Sequence, residues 1–200
     1  DQRVNFLSIC ENQDVSELKA KVAELTEADW AQSDRHTQFD IHKETQSIQL
    51  LGDDMSHTLP QKTRYFDLLA ADVAPIIERL KDHFGHQGVF LRVLIARLNA
   101  HSEIKPHVDK GYSLINCNRV HIPVFTNDQV QFSVGGEART LKEGEVWEIN
   151  NADVHAVTNA SDSPRVHLII DWAPRETLLR ERKPFRMDLP VLYQSAFRLR

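Results

Sequence analysis

Two histidines and one aspartate have the residue types and the spacing of a mononuclear metal site. His107 and Asp109 are separated by one residue, so in an extended segment their side chains point to the same side. His155 comes much later, at the head of another apolar run that favours a strand. Two imidazoles and one carboxylate on one face of an octahedron leave positions open, which suits non-haem Fe(II) binding a co-substrate and dioxygen together. The chain has ten histidines, so one H-x-D pair alone carries little specificity.

A second group of side chains could bind an organic acid. Arg165 lies ten residues after His155 and begins a β-rich run, and its planar fork can hold a carboxylate with two hydrogen bonds. Alternation puts Arg165 on one face of that run and Val166, Leu168, Ile170 and Trp172 on the other. Arg119 and His121 likewise share a face opposite Val120, Ile122 and Val124. Two donor clusters near a metal suit a dicarboxylate that is anchored at both ends.

These motifs in combination resemble one enzyme family. The chain resembles the aspartyl/asparaginyl β-hydroxylase family of Fe(II)/2-oxoglutarate oxygenases, which includes bacterial L-proline cis-4-hydroxylase. The resemblance lies in the order of four motifs: P-H-x-D, then R-V-H, then E-G-E-V-W, then H followed ten residues later by R. The resemblance covers roughly residues 88–174. Asp109 and Arg97, which lies ten residues before His107, favour the bacterial amino-acid hydroxylases over the animal enzymes.

The resemblance implies a role for each of these residues. His107, Asp109 and His155 would be the iron ligands. Arg165 would bind the distal carboxylate of 2-oxoglutarate. The remaining co-substrate-binding residues would be Arg119 and His121, near the metal-bound end, together with Arg97.

The implied activity is hydroxylation of an amino-acid side chain with Fe(II), 2-oxoglutarate and O2, releasing succinate and CO2. The substrate would be a free amino acid or a peptidyl Asp, Asn or Pro. Residues 110–118, residues 36–49 and the C-terminal tail are the expected substrate-contacting regions. Two alternatives remain open at this point. A cupin-like metalloenzyme without 2-oxoglutarate would keep the three ligands but not depend on Arg165, and a non-catalytic jelly-roll binding module would depend on neither.

Composition narrows the class of protein. The 200 residues carry a formal net charge of −5, which argues against binding nucleic acid through its phosphates. No apolar run has the length of a transmembrane helix, and two cysteines exclude a disulfide framework. A ferrous site and free thiols favour a reducing compartment, so we expect a cytoplasmic protein with a small-molecule or peptide substrate. The chain begins without Met, so a removed targeting segment stays open, as does the oligomeric state.

The order of predicted elements indicates the fold. A capping box at Asp14 to Glu17 predicts a helix over about 15–27. Apolar spacing from Phe66 to Phe84 predicts a second helix. Pro75 lies in the first turn of that helix if it starts near Asp72, and otherwise marks a kink. Short β-rich runs separated by turn residues then predict strands at 46–51, 89–98, 119–126, 129–134, 145–149, 155–159 and 165–172.

This order predicts an antiparallel sandwich or jelly roll. With the resemblance, we expect a mainly β fold with flanking α, namely a double-stranded β-helix with helices packed on one sheet. We expect one oxygenase domain over 1–200, with N-terminal support at 1–87, a core at 88–174 and an extension at 175–200.

Overall fold

Two antiparallel sheets form the body of the protein. The computed structural model describes residues 4–32, 45–52 and 60–176. We call the seven-stranded sheet the major sheet and the four-stranded sheet the minor sheet. In spatial order the major sheet consists of β1 (Phe6–Cys10), β9 (Val146–Ile149), β6 (Asn118–Phe125), β11 (Arg165–Pro174), β4 (Gly88–Leu98), β2 (Thr45–Gly52) and β3 (Gln61–Lys62). The minor sheet consists of β5 (Ser102–His107), β10 (His155–Asn159), β7 (Val130–Val134) and β8 (Glu137–Arg139).

The arrangement is a double-stranded β-helix, as predicted, and its two sheets are packed face to face. Leu98, Trp147 and Ile149 of the major sheet share one apolar cluster with Phe132 and Val157 of the minor sheet. We call the side of the major sheet that faces the minor sheet its inner face. A site built on that face is therefore enclosed between two layers.

Strand β11 shows how the sequence separates the two faces. Val166, Leu168 and Ile170 belong to the core cluster shared with the helices. Arg165 and Asp171 alternate with them and point to the inner face, yet both are almost completely buried. The helix-facing residues thus stabilise the sheet, and the polar side chains of the same strand lie in the enclosed layer.

The helices cover the other face of the major sheet, as expected. They are α1 (Ser16–Ala23), α2 (Glu27–Gln32) and α3 (Arg64–Phe84), and a short α4 (Tyr112–Ile115) lies between β5 and β6. Helix α3 buries one apolar stripe against the sheet: Leu69, Val73, Ile76, Ile77 and Leu80. Within the described residues, no helix combines the length and the apolar character that crossing a membrane requires.

The helix boundaries differ from the sequence prediction at two places. The predicted helix over 15–27 ends early, as α1 at Ala23, and a second helix, α2, begins at Glu27. Thr26 and Asp29 form a reciprocal cap at its start: the Thr26 amide donates to Asp29 Oδ2 over 2.8 Å, and the Asp29 amide donates to Thr26 Oγ1 over 3.3 Å. Helix α3 begins at Arg64 rather than near Asp72, so Pro75 lies inside it on an exposed side, where it removes one backbone hydrogen bond.

Candidate active site

The three predicted metal ligands are brought together at the end of the minor sheet. His107 ends β5, His155 begins β10, and the two residues are direct partners in the β5–β10 pairing. Asp109 follows β5 in the loop, and its Oδ1 lies 3.3 Å from His155 Nε2 and 3.6 Å from His107 Nε2. One ligand atom from each residue lies within 4.8 Å of the others. This spacing is compatible with a single ion held by all three residues.

Hydrogen bonds fix the tautomer that each imidazole needs for metal binding. His107 Nδ1 lies 2.8 Å from the carbonyl oxygen of Lys105, and His155 Nδ1 lies 2.9 Å from that of Asp153. A carbonyl oxygen only accepts, so both Nδ1 atoms carry a proton, and both Nε2 atoms, the nitrogens left for a metal, face Asp109. Burial raises the pKa of Asp109, but hydrogen bonds from both histidines and the charge of Arg119 outweigh it and hold that pKa far below its usual range. The donor set fits a divalent metal.

A buried network of ion pairs contacts Oδ2 of Asp109, the carboxylate oxygen that does not face the histidines. Arg119 donates from Nη1 to Asp109 Oδ2 over 3.4 Å, and it forms a fork on Asp171, with Nε to Oδ1 at 2.8 Å and Nη2 to Oδ2 at 2.9 Å. Arg92 Nε donates to the same carboxylate over 2.6 Å. Asn151 Nδ2 lies 3.4 Å from Asp109 Oδ2 and also donates to the carbonyl oxygen of Leu114 over 2.7 Å. The network therefore connects the inner face of the major sheet to the loop after β5 that holds Asp109, which we call the metal loop.

Arg165 is a buried cation without a counter-charge among the described residues. Only 1% of its surface is exposed, and its Nε and Nη1 atoms are buried with no hydrogen-bond partner in the part of the chain that the structure describes. Burial lowers the pKa of Arg165 to about 10, so the guanidinium remains charged at neutral pH. A buried charge without a partner is costly, and an anionic ligand removes that cost. The carboxylate of a bound organic acid, such as 2-oxoglutarate, meets this requirement.

Comparison with known proteins identifies the family. The family model described as aspartyl/asparaginyl β-hydroxylase matches residues 14–174. The chain belongs to this family. No curated protein matches the sequence. As a member of the aspartyl/asparaginyl β-hydroxylases, the protein is an Fe(II)- and 2-oxoglutarate-dependent hydroxylase, and Fe(II), 2-oxoglutarate and O2 are its cofactors.

Solved structures of similar fold are oxygenases with little sequence identity to this hydroxylase. A 2OG-Fe(II) oxygenase family oxidoreductase from Burkholderia pseudomallei matches with a TM-score of 0.60 and 18% identity over 86% of this chain and 85% of that one. A prolyl hydroxylase from Trichoplax adhaerens, in complex with a peptide fragment of hypoxia inducible factor, has a TM-score of 0.57 and 11% identity over 88% and 86% of the two chains. A Pseudomonas putida prolyl-4-hydroxylase has a TM-score of 0.55 and 11% identity over 85% and 92%. At these identities the likeness concerns the fold.

His121 of the hydroxylase lies on β6, two residues after Arg119, and contacts His167 of β11. His121 lies on the inner face, and its pKa is held well below the usual range by burial first and then by the charges of Arg119, Arg165 and His155. Its Nδ1 atom lies 2.9 Å from Nδ1 of His167, whose pKa burial and Arg165 also lower. Phe132 packs edge-on against the His121 ring, with 5.0 Å between the ring centroids. His121 is therefore neutral and well positioned to hydrogen-bond an organic acid.

Arg97 is not brought to this site. It lies on the helix-facing side of β4, where its guanidinium donates to both carboxylate oxygens of Glu27 over 2.8 Å and to Gln46, and stacks 4.6 Å above the Trp30 ring. Alternation along β4 separates Arg97 from Leu98, which points to the inner face. We therefore do not assign Arg97 to the 2-oxoglutarate site of the hydroxylase.

Four residues of the site were not predicted: Arg92, Asn151, His167 and Asp171. The signal for Asp171 was present, because an isolated carboxylate in an otherwise apolar strand needs a buried partner. The same reasoning applies to His167. Arg92 and Asn151 gave no comparable signal, since their partners come from distant segments.

Proposed function

We propose that His107, Asp109 and His155 hold the Fe(II) ion of this hydroxylase and that Arg165 binds the distal carboxylate of 2-oxoglutarate. The observation that carries the proposal is that the same site contains both a possible metal-binding group and an uncompensated buried cation. The ligand atoms of His107, Asp109 and His155 lie close together, and Nε and Nη1 of Arg165 have no partner among the described residues. His121 contacts His167, which follows Arg165 by two residues on β11, so it lies close to the Arg165 end of the site. A metal site alone does not account for Arg165, whereas a chelating dicarboxylate does.

The protein's own residues bind and orient the reactants. When Fe(II), 2-oxoglutarate and O2 are bound, oxidative decarboxylation of 2-oxoglutarate to succinate and CO2 supplies the oxidant for C–H hydroxylation. Arg119 holds Asp109 from the side opposite the histidines, so the carboxylate keeps one oxygen turned toward them. Arg119 thus positions Asp109, and its place near the metal-bound end of 2-oxoglutarate stays a prediction. Burial between the two sheets keeps water away from the Arg165 guanidinium.

We further propose that the substrate is an amino-acid side chain, either free or within a peptide. Family membership supports Asp and Asn, and the prolyl hydroxylases of similar fold support Pro. The loop that includes α4 is the best-supported substrate-contacting segment, because Arg92 donates to Ser113 Oγ over 3.1 Å and Asn151 to Leu114 O, both beside the metal loop. Of the predicted region 36–49, residues 45–49 lie in β2 of the major sheet and the rest lies outside the described residues, as does the tail after 176. Residues 1–200 form one oxygenase domain in this proposal, and free Cys10 and Cys117 favour a cytoplasmic location.

The test is co-substrate turnover coupled to substrate oxidation. Protein purified without oxygen and supplied with Fe(II), O2 and 2-oxoglutarate is screened against free amino acids and Asp-, Asn- or Pro-containing peptides. Succinate is quantified, and mass spectrometry detects the gain of one oxygen atom. We expect activity in the wild type and in His101→Ala, an exposed control, and loss of activity in His155→Ala and Arg165→Ala. Absence of succinate with every substrate in the wild type would contradict the proposal.

A further inference from the structure

His121 and His167 form a buried pair whose ring nitrogens share one proton. They lie on the neighbouring strands β6 and β11, with Nδ1 to Nδ1 at 2.9 Å, and only 6% and 1% of their surfaces are exposed. Two lone pairs at this distance would repel each other, and two N–H groups would clash. One ring therefore donates from Nδ1 and the other accepts at Nδ1.

The direction of this hydrogen bond decides what each ring offers at its second nitrogen. Burial and the nearby arginines lower the pKa of both rings, so both are neutral and each carries a single proton. If His167 donates, His121 has an N–H group at Nε2 and His167 has a lone pair there. If His121 donates, the two are reversed. Only the first arrangement lets His121 donate to an anion.

Arg165 favours the arrangement in which His167 donates. Arg165 and His167 are two residues apart on β11 and point to the same face, and His167 Nε2 is buried without a partner among the described residues. The uncompensated charge of Arg165 stabilises a lone pair at that atom and destabilises an N–H. Arg119, the cation on the same strand as His121, also acts on His121, but Asp171 and Asp109 offset its charge, whereas no described carboxylate offsets that of Arg165.

We propose that His167 is a positioning residue for co-substrate binding: it donates its Nδ1 proton to His121, so that His121 offers an Nε2–H to a carboxylate of 2-oxoglutarate. This inference rests on the proposed function of the site. A neutral donor adds a hydrogen bond to the co-substrate without burying a second uncompensated charge beside Arg165. His167 does not itself contact the co-substrate in this account.

The tautomer is tested directly by NMR. Long-range 1H–15N correlation spectra of the imidazole rings are recorded on metal-free protein and on Zn(II)-loaded protein with 2-oxoglutarate. The His121 signals are assigned by their loss in His121→Gln. We expect Nε2 of His121 and Nδ1 of His167 to be the protonated nitrogens in both samples. A protonated Nδ1 in His121 would overturn the proposal whatever the ligand affinity is.

Binding measurements test the consequence with a pair of matched variants. In His167→Asn the amide nitrogen takes the place of Nδ1 and still donates, whereas His167→Leu has no donor. For Zn(II)-loaded proteins, calorimetry should show 2-oxoglutarate binding about tenfold more weakly to His167→Leu, within about threefold of wild type for His167→Asn, and unchanged for the exposed control His86→Leu. Zn(II) affinity should be the same in all four proteins.

The outcomes separate this inference from the proposed function. Equal 2-oxoglutarate affinity in His167→Leu and wild type would overturn the positioning role while leaving the co-substrate site intact. A loss of affinity in His167→Asn as large as that in His167→Leu would also overturn it. No 2-oxoglutarate binding to wild type would refute the proposed function, and the His121 ring signals would still decide the direction of the hydrogen bond. If His167→Leu does not fold, the spectra and His167→Asn remain decisive.

Discussion

We expect Arg165 to have opposite effects on stability and on ligand binding: its buried charge destabilises the ligand-free protein and binds the co-substrate. Its guanidinium is buried, and its Nε and Nη1 atoms have no partner in the described part of the chain. Replacing it by Met keeps an apolar stem of similar length and removes the buried charge. We expect Arg165→Met to raise the free energy of unfolding of the ligand-free protein by about 1–4 kcal/mol. The same variant should lose measurable 2-oxoglutarate binding.

Urea-induced unfolding of metal-free protein and calorimetric titration of the Zn(II)-loaded form give the two measurements. Arg119→Met is the matched comparison, because it leaves the carboxylate of Asp171 with only Arg92 and should therefore destabilise the protein. A decrease in stability for both variants would show that Arg165 has a compensating partner and would contradict its proposed role in binding an anion.

Single residues were predictable where a polar side chain interrupts an apolar pattern. His107, Asp109, His155 and Arg165 stand out in this way, and the structure brings the first three within ligand distance of one another. Arg97 shows the limit. Both faces of β4 are largely buried, so alternation separates Arg97 from Leu98 without indicating which of them faces the site. That choice depends on Glu27 and Gln46, which are distant in sequence.

At the level of elements, Asp171 joins three strands to the metal loop. It lies on β11 and pairs with Arg92 on β4 and Arg119 on β6, which in turn reaches Asp109. Burial raises the pKa of Asp171, but the charges of both arginines outweigh it and hold the pKa well below its usual range. The carboxylate is therefore ionised at neutral pH and forms ion pairs with both arginines.

We expect Asp171→Asn to affect both folding and metal binding. Two buried guanidinium groups lose their shared counter-charge, which should lower the free energy of unfolding by about 3–5 kcal/mol. Arg119 is then free to move away from Asp109, so the affinity for Zn(II) should fall about 10- to 100-fold. Chemical denaturation and competition with a metal chelator measure the two effects.

A matched control for this variant is Asp162→Asn, which removes an exposed carboxylate that pairs with His101. It should change neither quantity. Zn(II) affinity at the wild-type level in a folded Asp171→Asn protein would show that Asp109 keeps its position without the network.

Elements were predictable where their sequence pattern is long, and less so where they are short. The apolar stripe of α3 and the runs of β4, β6 and β11 gave helix and strands in the right places. Strands β1, β3, β5 and β8 were not predicted as strands. β5 reads Ser-Glu-Ile-Lys-Pro-His, and its pattern is mostly exposed, so it has little apolar alternation. Its strand structure comes from pairing with β10, a contact that the local sequence does not encode.

At the scale of the whole molecule, the proposed metal site connects the two sheets. The two histidines proposed as ligands belong to the minor sheet, whereas Asp109 is held by Arg119 of the major sheet. An ion bound by all three residues therefore links layers that otherwise meet through apolar side chains such as Leu98 and Val157. A metal ion that binds the native state and not the unfolded state should stabilise the whole fold.

We accordingly expect Zn(II) to raise the unfolding temperature of the intact protein. At a free concentration of about 100 times the dissociation constant, the stabilisation is about 2.7 kcal/mol. For a chain of this size that corresponds to an increase of about 5–10 °C. Differential scanning calorimetry with and without Zn(II) gives the shift, and removal of the metal by a chelator should reverse it. A further increase on adding 2-oxoglutarate should occur only when metal is present.

Variants connect the shift to the proposed ligands. His155→Ala should abolish the response to Zn(II), because a single imidazole and one carboxylate hold the ion weakly. His101→Ala removes an exposed histidine and should respond as the wild type does. Arg165→Met should keep the response to Zn(II) and lose the additional response to 2-oxoglutarate, since the metal ligands are intact. An unchanged Zn(II) response in His155→Ala would place the ion elsewhere on the molecule, and the link between the two sheets would then not depend on the metal.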